Sequence, residues 1–233
     1  MATYVLIPGA GCGPWYWHLL EGELRDRGHD VVAVDLPCDD DAAGLPEYVD
    51  TAVAAVGDRT GLIVVAHSLG GFTGPLVCAR LPVDLLVMLQ AMPPLPGEPP
   101  GDWWANTGYQ EAMREHRERD DTGAYESDDF DELFYNDVPP ELAAGLRSRP
   151  RDQSGTPMEK PWPLDAWPDV PTRFLLCSED LFFPPAFMRR VVRDRLGIVP
   201  DEIAAGHLPM LSRPRELADR LEAYRAQVPR RGS

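Results

Sequence analysis

Short apolar runs alternate with stretches of helical spacing through the first ninety positions. The runs at 4–8, 31–36, 62–66 and 85–89 have the length and uniform apolarity of strands buried on both faces. Between them, 15–27, 45–56 and 69–80 repeat their apolar positions at helical spacing. Such alternation predicts right-handed crossovers and an α/β fold with a mostly parallel sheet of about six strands, helices covering both faces. The pattern breaks at Met92. From there to about Pro171 the chain turns rich in Pro, Trp and acids, with helical pieces expected at 103–119, 128–135 and 140–147. It then resumes with a strand at 172–177, a helix at 184–196, a short strand at 201–204 and a closing helix at 213–228. In that last helix Leu217, Leu221 and Tyr224 share one face, and the tail 230–233 is expected to fray. The predicted organisation is one core from 1–92 and 171–233, interrupted by a small, mainly helical lid at 93–170.

The chain of 233 residues fits one domain with a modest insertion. No segment approaches the roughly 20 apolar residues of a membrane span. The first residues carry no basic stretch ahead of their apolar run, so a cytoplasmic protein is expected. Acids number 38 against 22 bases, a net charge of −16, which disfavours nucleic-acid and membrane partners. Residues 98–141 hold 14 acids and three bases, so −11 of that −16 lies there. Nine aromatics between Trp103 and Trp167, Tyr125 among them, make that stretch too apolar for a solvated tail. Cys12, Cys38, Cys78 and Cys177 show no metal-ligand spacing and no disulfide framework; no metal or cofactor is expected.

Residues 62–71 read Leu-Ile-Val-Val-Ala-His-Ser-Leu-Gly-Gly, a buried strand running through a tight turn into a helix. A serine at such a turn needs small residues two positions away on either side, and Ala66 and Gly70 supply them. The turn exposes the Ser68 hydroxyl above the sheet edge and sets the Leu69 amide at a helix start, where a developing oxyanion is favoured. Gly-rich turns also occur for packing alone, but here strand and helix flank the serine as nucleophilic catalysis requires.

A serine nucleophile needs a base and an acid to orient it. Of five histidines, His67 adjoins the serine and turns away from it, His18 sits beside Trp17 on a helix, His29 occupies a turn, and His116 lies in a run of charges. His207, in a loop between the last short strand and the last helix, can swing over the serine. Asp180, three residues past the strand ending at Cys177, is the preferred acid, with Glu179 as the alternative. The Gly-rich loop 8–15 after the first strand provides the other half of an anion site. Its glycines do not fit GxGxxG, and Asp35 reads as a structural turn residue, so a dinucleotide site is disfavoured.

With these motifs in this order the sequence resembles the alpha/beta-hydrolase superfamily across nearly its whole length. Segments 4–17, 64–71, 177–183 and 206–209 are similar to the small serine esterases that include plant methylesterases and hydroxynitrile lyases. The resemblance implies Ser68 as nucleophile, His207 as general base and acid, Asp180 as orienting carboxylate, and the Ala10 and Leu69 amides as oxyanion donors. The group's usual histidine before the loop glycine is Pro8 here. Its lyases carry a threonine in this loop and a lysine after the catalytic histidine, where this chain has Gly9 and Leu208. Lacking that ammonium, the site favours hydrolysis over cyanide release.

The expected function is a carboxylesterase-like serine hydrolase acting on a small, neutral carboxylic ester. Trp15, His67 and the aromatics of the lid are candidates for substrate contact, although most of the aromatics also serve as packing. The acidic lid is expected to disfavour anionic substrates. A small molecule is the expected partner, the chain being a monomer or a homodimer. Two alternatives share the scaffold: a non-hydrolytic enzyme (lyase, cyclase or cofactor-free oxygenase) and a receptor-like binding protein.

Overall fold

The computed structural model describes residues 1–119 and 129–228. Tyr125, the first position of the expected 128–135 helix (Asp128) and the tail 230–233 lie outside them. Six strands form one parallel sheet: β1 (Thr3–Ile7), β2 (Asp30–Ala33), β3 (Leu62–His67), β4 (Val83–Leu89), β5 (Thr172–Cys177) and β6 (Asp201–Ile203), in the spatial order β2-β1-β3-β4-β5-β6. Alternating strand residues feed two cores. Val5, Ile7, Val64 and Ala66 pack on one face with α2 (Leu45–Val56), α3 (Gly70–Arg80) and α8 (Pro185–Leu196). Tyr4, Leu6, Ile63 and Val65 pack on the other with α1 (His18–Asp26) and α10 (Pro214–Gln227). A sheet buried on both sides accounts for the unbroken apolar runs of its strands.

The sheet order reverses between β1 and β3, which pair from Thr3–Leu62 to Ile7–Ala66. The loops leaving these two strands therefore diverge to opposite faces and open a crevice at the carboxyl ends, the usual place for a ligand in such a sheet. Both the Gly-rich loop and the serine turn leave the sheet there.

Residues 90–171 separate β4 from β5. They carry α4 (Trp103–Thr107), α5 (Tyr109–Arg119), α6 (Phe130–Phe134) and α7 (Pro140–Arg147). The single helix expected over 103–119 breaks at Gly108, whose φ of +67° ends α4 in a left-handed cap. Trp103 anchors the segment. It is fully buried, donates Nε1–H to the Pro93 carbonyl at 3.1 Å, and packs its ring against Phe183 and Phe187. Arg195 of α8 reaches Glu98 through a buried ion pair, with Nη2 donating to Oε1 at 2.8 Å.

The remaining differences lie at element ends. The helix expected over 15–27 begins as a 3-10 turn, Pro14–Trp17, before α1, because Pro14 starts a turn without needing an amide. The closing helix expected over 213–228 is α10, and a short α9 (Pro209–Ser212) precedes it, each opened by a proline. Among the described residues no helix is long and apolar enough to cross a membrane.

Candidate active site

Ser68 lies between β3 and α3 with φ at +51°, a left-handed conformation that costs a non-glycine residue about 1–2 kcal/mol. Three contacts hold it there. Its amide donates to Leu89 O (3.4 Å), and its carbonyl accepts from Gly71 N (3.0 Å) and Met92 N (2.9 Å). The small residues nearby have steric causes. A Cβ on Gly70 would stand 2.7 Å from the Pro8 carbonyl oxygen, and one on Gly71 would stand 2.4 Å from that of Met92. Gly74 lets α3 approach β3 so closely that an added Cβ would lie 2.6 Å from the Ala66 Cβ, which is why position 66 must also be small.

The loop after β1 folds over this turn. Gly9 is the point of closest approach, since a Cβ there would meet Ser68 Cβ at 2.9 Å, His67 Nδ1 at 3.1 Å and Ser68 Oγ at 3.4 Å. Cys12 N donates to Gly9 O (3.3 Å), and Gly11, at φ +63°, donates its amide to Gln153 Oε1 (3.1 Å). The amides of Ala10 and Leu69 donate to no other described residue, which leaves both available to a ligand.

On the opposite side, His207 Nδ1 lies 2.8 Å from Asp180 Oδ2, both side chains being fully buried. A carboxylate only accepts, so the bond sets the proton on Nδ1 and leaves a lone pair on Nε2. That Nε2 is buried and has no hydrogen-bond partner among the described residues. The rings of Phe134, Phe182 and Phe183 surround the imidazole at centroid distances of 4.7, 5.1 and 5.3 Å. Glu179 is exposed and engages through its backbone, donating N–H to Ala205 O and accepting at its own carbonyl from Asn136. The geometry thus brings Asp180, and not Glu179, to the imidazole.

The Asp180 carboxylate is held at both oxygens. Oδ1 accepts from the Phe182 amide (2.8 Å), and Oδ2 accepts from Gln90 Nε2 (2.6 Å) as well as from His207. Gln90 was not singled out from the sequence. It is fully buried just past β4 with φ at +43°, and its Oε1 accepts from Cys177 N (2.9 Å) at the end of β5. The available signal was a lone amide inside the otherwise apolar run 85–92.

His67 lies behind the serine rather than along a cavity wall. It is 1% exposed, and its Nε2–H donates to the His207 carbonyl at 2.9 Å, tying the base-bearing loop to β3. Burial, reinforced by the neighbouring His207 and only partly opposed by that hydrogen bond, drives its pKa well below the usual histidine value. Trp15 is half-buried, stacks on His18 at 4.2 Å and lines a 220 Å³ hollow beside Gly11. His29 bridges the Ala2 amide and Glu222, the structural place expected of it.

Known proteins match nearly the whole chain. Residues 4–220 match the alpha/beta hydrolase family. Norfluorocurarine synthase 1 from a Strychnos species is 25% identical, covering 97% of this chain and 96% of its own length. A "probable esterase" of rice (Oryza sativa subsp. indica) is 28% identical over 94% of each chain, and methylesterase 7 of Arabidopsis thaliana is 25% identical over 92% of each. Among solved structures, an extracellular alpha/beta-hydrolase from a Paenibacillus species superposes with a TM-score of 0.75 at 20% identity, covering 96% of this chain and 98% of that one.

Proposed function

The chain belongs to the alpha/beta hydrolase family, and on that premise we propose that it is a serine carboxylesterase that cleaves a small ester in two acyl-transfer steps. The observation that carries this reading is the buried His207, with Nδ1 bonded to Asp180 and Nε2 left without a partner. Nε2 takes the proton from Ser68 Oγ as that oxygen attacks the ester carbonyl. Asp180 keeps the imidazole in the required tautomer and stabilises its charged form. The Ala10 and Leu69 amides receive the oxyanion, each donor contributing about 2.7–4 kcal/mol to the transition state. The imidazolium then protonates the leaving alcohol. Water repeats the sequence on the acyl-enzyme, releasing the acid and restoring Ser68.

Segment 93–170 acts as a lid in this scheme, with Phe134 of α6 placed against the imidazole. The apolar rings about His207 keep bulk water from competing for Nε2. Curated relatives bearing esterase names support hydrolysis.

The test is release of p-nitrophenol from a C2–C12 ester series, with Ser68→Ala, verified as folded, in parallel. Release by the wild type and its loss in the variant are expected. Relatives named as synthases favour a second reading, a different reaction on the same residues. Absence of release across the series in wild-type protein would reject the esterase and favour that reading.

A further inference from the structure

We infer that the ester taken by this site carries a free carboxylate, bound at the pocket mouth by Arg149; the inference deepens the esterase reading and rests on it. A 420 Å³ cavity opens directly on the loop proposed to bind the oxyanion, with Ala10 and Gly11 on one wall. Phe134, whose ring packs on His207, and Tyr135 lie in another. Its outer rim carries Arg147, Arg149 and Arg151. The adjoining hollow shares Gly11, Arg149 and Arg151 and adds Trp15.

Two of these three arginines are already neutralised. Arg147 donates to Asp131 at 2.7 Å, and Arg151 bridges Asp35 at 2.5 Å and Asp39 at 3.1 Å. Arg149 has no carboxylate partner among the described residues, in a chain where acids outnumber bases 38 to 22. Its guanidinium lies 4.7 Å over the Trp15 ring, and that indole is stacked in turn on His18. A guanidinium held over a ring face keeps donors that can make two parallel bonds to a carboxylate.

This differs from the neutral substrate expected from sequence. The acid surplus of 98–141 is a sum over a segment, whereas selectivity depends on which charges border the cavity. Among the arginines lining the cavity, Arg149 alone has no carboxylate partner among the described residues. Because Arg149 is exposed, the effect is modest and sensitive to salt.

The experiment uses full-length Ser68→Ala, which cannot turn substrate over, titrated calorimetrically at low ionic strength with monoethyl glutarate and with ethyl pentanoate. The half-ester is expected to bind about five-fold more tightly, the size of an exposed ion pair. That preference should vanish in Ser68→Ala/Arg149→Gln, return in part with Arg149→Lys, and shrink at 0.5 M salt. Equal binding of the two esters, or a preference that survives Arg149→Gln, overturns the inference. The same esters given to wild-type protein separate the two claims. Arg149-dependent binding without hydrolysis would sustain the anion site and reject the esterase, whereas hydrolysis of both esters at equal kcat/KM would sustain the esterase and reject the anion site.

Discussion

The carboxamide nitrogen of Gln90 stands 2.6 Å from Asp180 Oδ2, the same oxygen that meets His207 Nδ1. Gln90 thereby joins the end of β4 to the acid beyond β5, and its Oε1 fixes the Cys177 amide on the same strand. Fully buried and at positive φ, it is kept in a strained conformation by the bonds it makes.

Gln90→Met keeps the length of the side chain and removes its hydrogen bonds to Asp180, to the Phe183 carbonyl and from the Cys177 amide. A bond to a charged group contributes about 1.5–3 kcal/mol. If that orientation is needed mainly in the transition state, kcat should fall about 10–100-fold with KM little changed. Gln90→Glu should fall further, since it sets a second carboxyl against Asp180. A steady-state kcat/KM split decides it, and a change confined to KM would mean that Gln90 does not act through Asp180.

Gly9 bears on the oxyanion loop. The Cβ of Gly9→Ala would sit 2.9 Å from Ser68 Cβ and 3.1 Å from His67 Nδ1, and a Cβ cannot move without its backbone. Overpacking of this kind costs about 1–3 kcal/mol of stability, and displacement of the Ala10 amide should lower kcat about 100-fold. Gly22→Ala is the contrast. Nothing lies within 4 Å of an added Cβ there, and helix propensity should make that variant more stable by about 0.5–1 kcal/mol. Urea denaturation of the two variants, with ester kinetics for Gly9→Ala, measures both effects.

The conformation of Ser68 predicts a trade of stability for activity. Ser68→Ala and Ser68→Gly should both be inactive, but only glycine relieves the positive φ. Ser68→Gly should therefore be the more stable of the two by about 1 kcal/mol. Equal unfolding midpoints would show that the turn stores no such strain.

What the sequence made legible follows from what is local. The strand–serine–helix turn is encoded within ten residues, because the small residues that shape it must sit at fixed offsets from Ser68. Asp180 and His207 were legible because each follows a recognisable strand. Gln90 was not, since its importance depends on a partner ninety positions away and on a sheet register that no local pattern states. The break at Gly108 was available as a lone glycine, but aromatic and charged periodicity on both sides masked it. Net charge, likewise, is a property of composition, while the rim beside Ala10 is assembled from α7 and the residues that follow it.

His67 sets an acid limit on stability. Its folded pKa is depressed, so below about 6.5 the unfolded chain binds a proton that the folded protein refuses. The associated stability is complete above the unfolded pKa and is lost as pH falls from 6.5 toward the folded value, by at most about 1.4 kcal/mol per pH unit. Glu222 acts in a separate and lower window. Burial raises its carboxyl, but hydrogen bonds from Arg225, Tyr4 and His29 outweigh burial and bring it to about 2, so its contribution is lost only below about pH 4.5. His67→Gln can still donate a hydrogen bond to the His207 carbonyl but cannot titrate. Urea midpoints measured from pH 8 to pH 5 should run parallel for wild type and variant down to about 6.5. Below that the wild type should lose ground to His67→Gln, and curves that stay parallel to pH 5 would show that His67 accepts its proton in place.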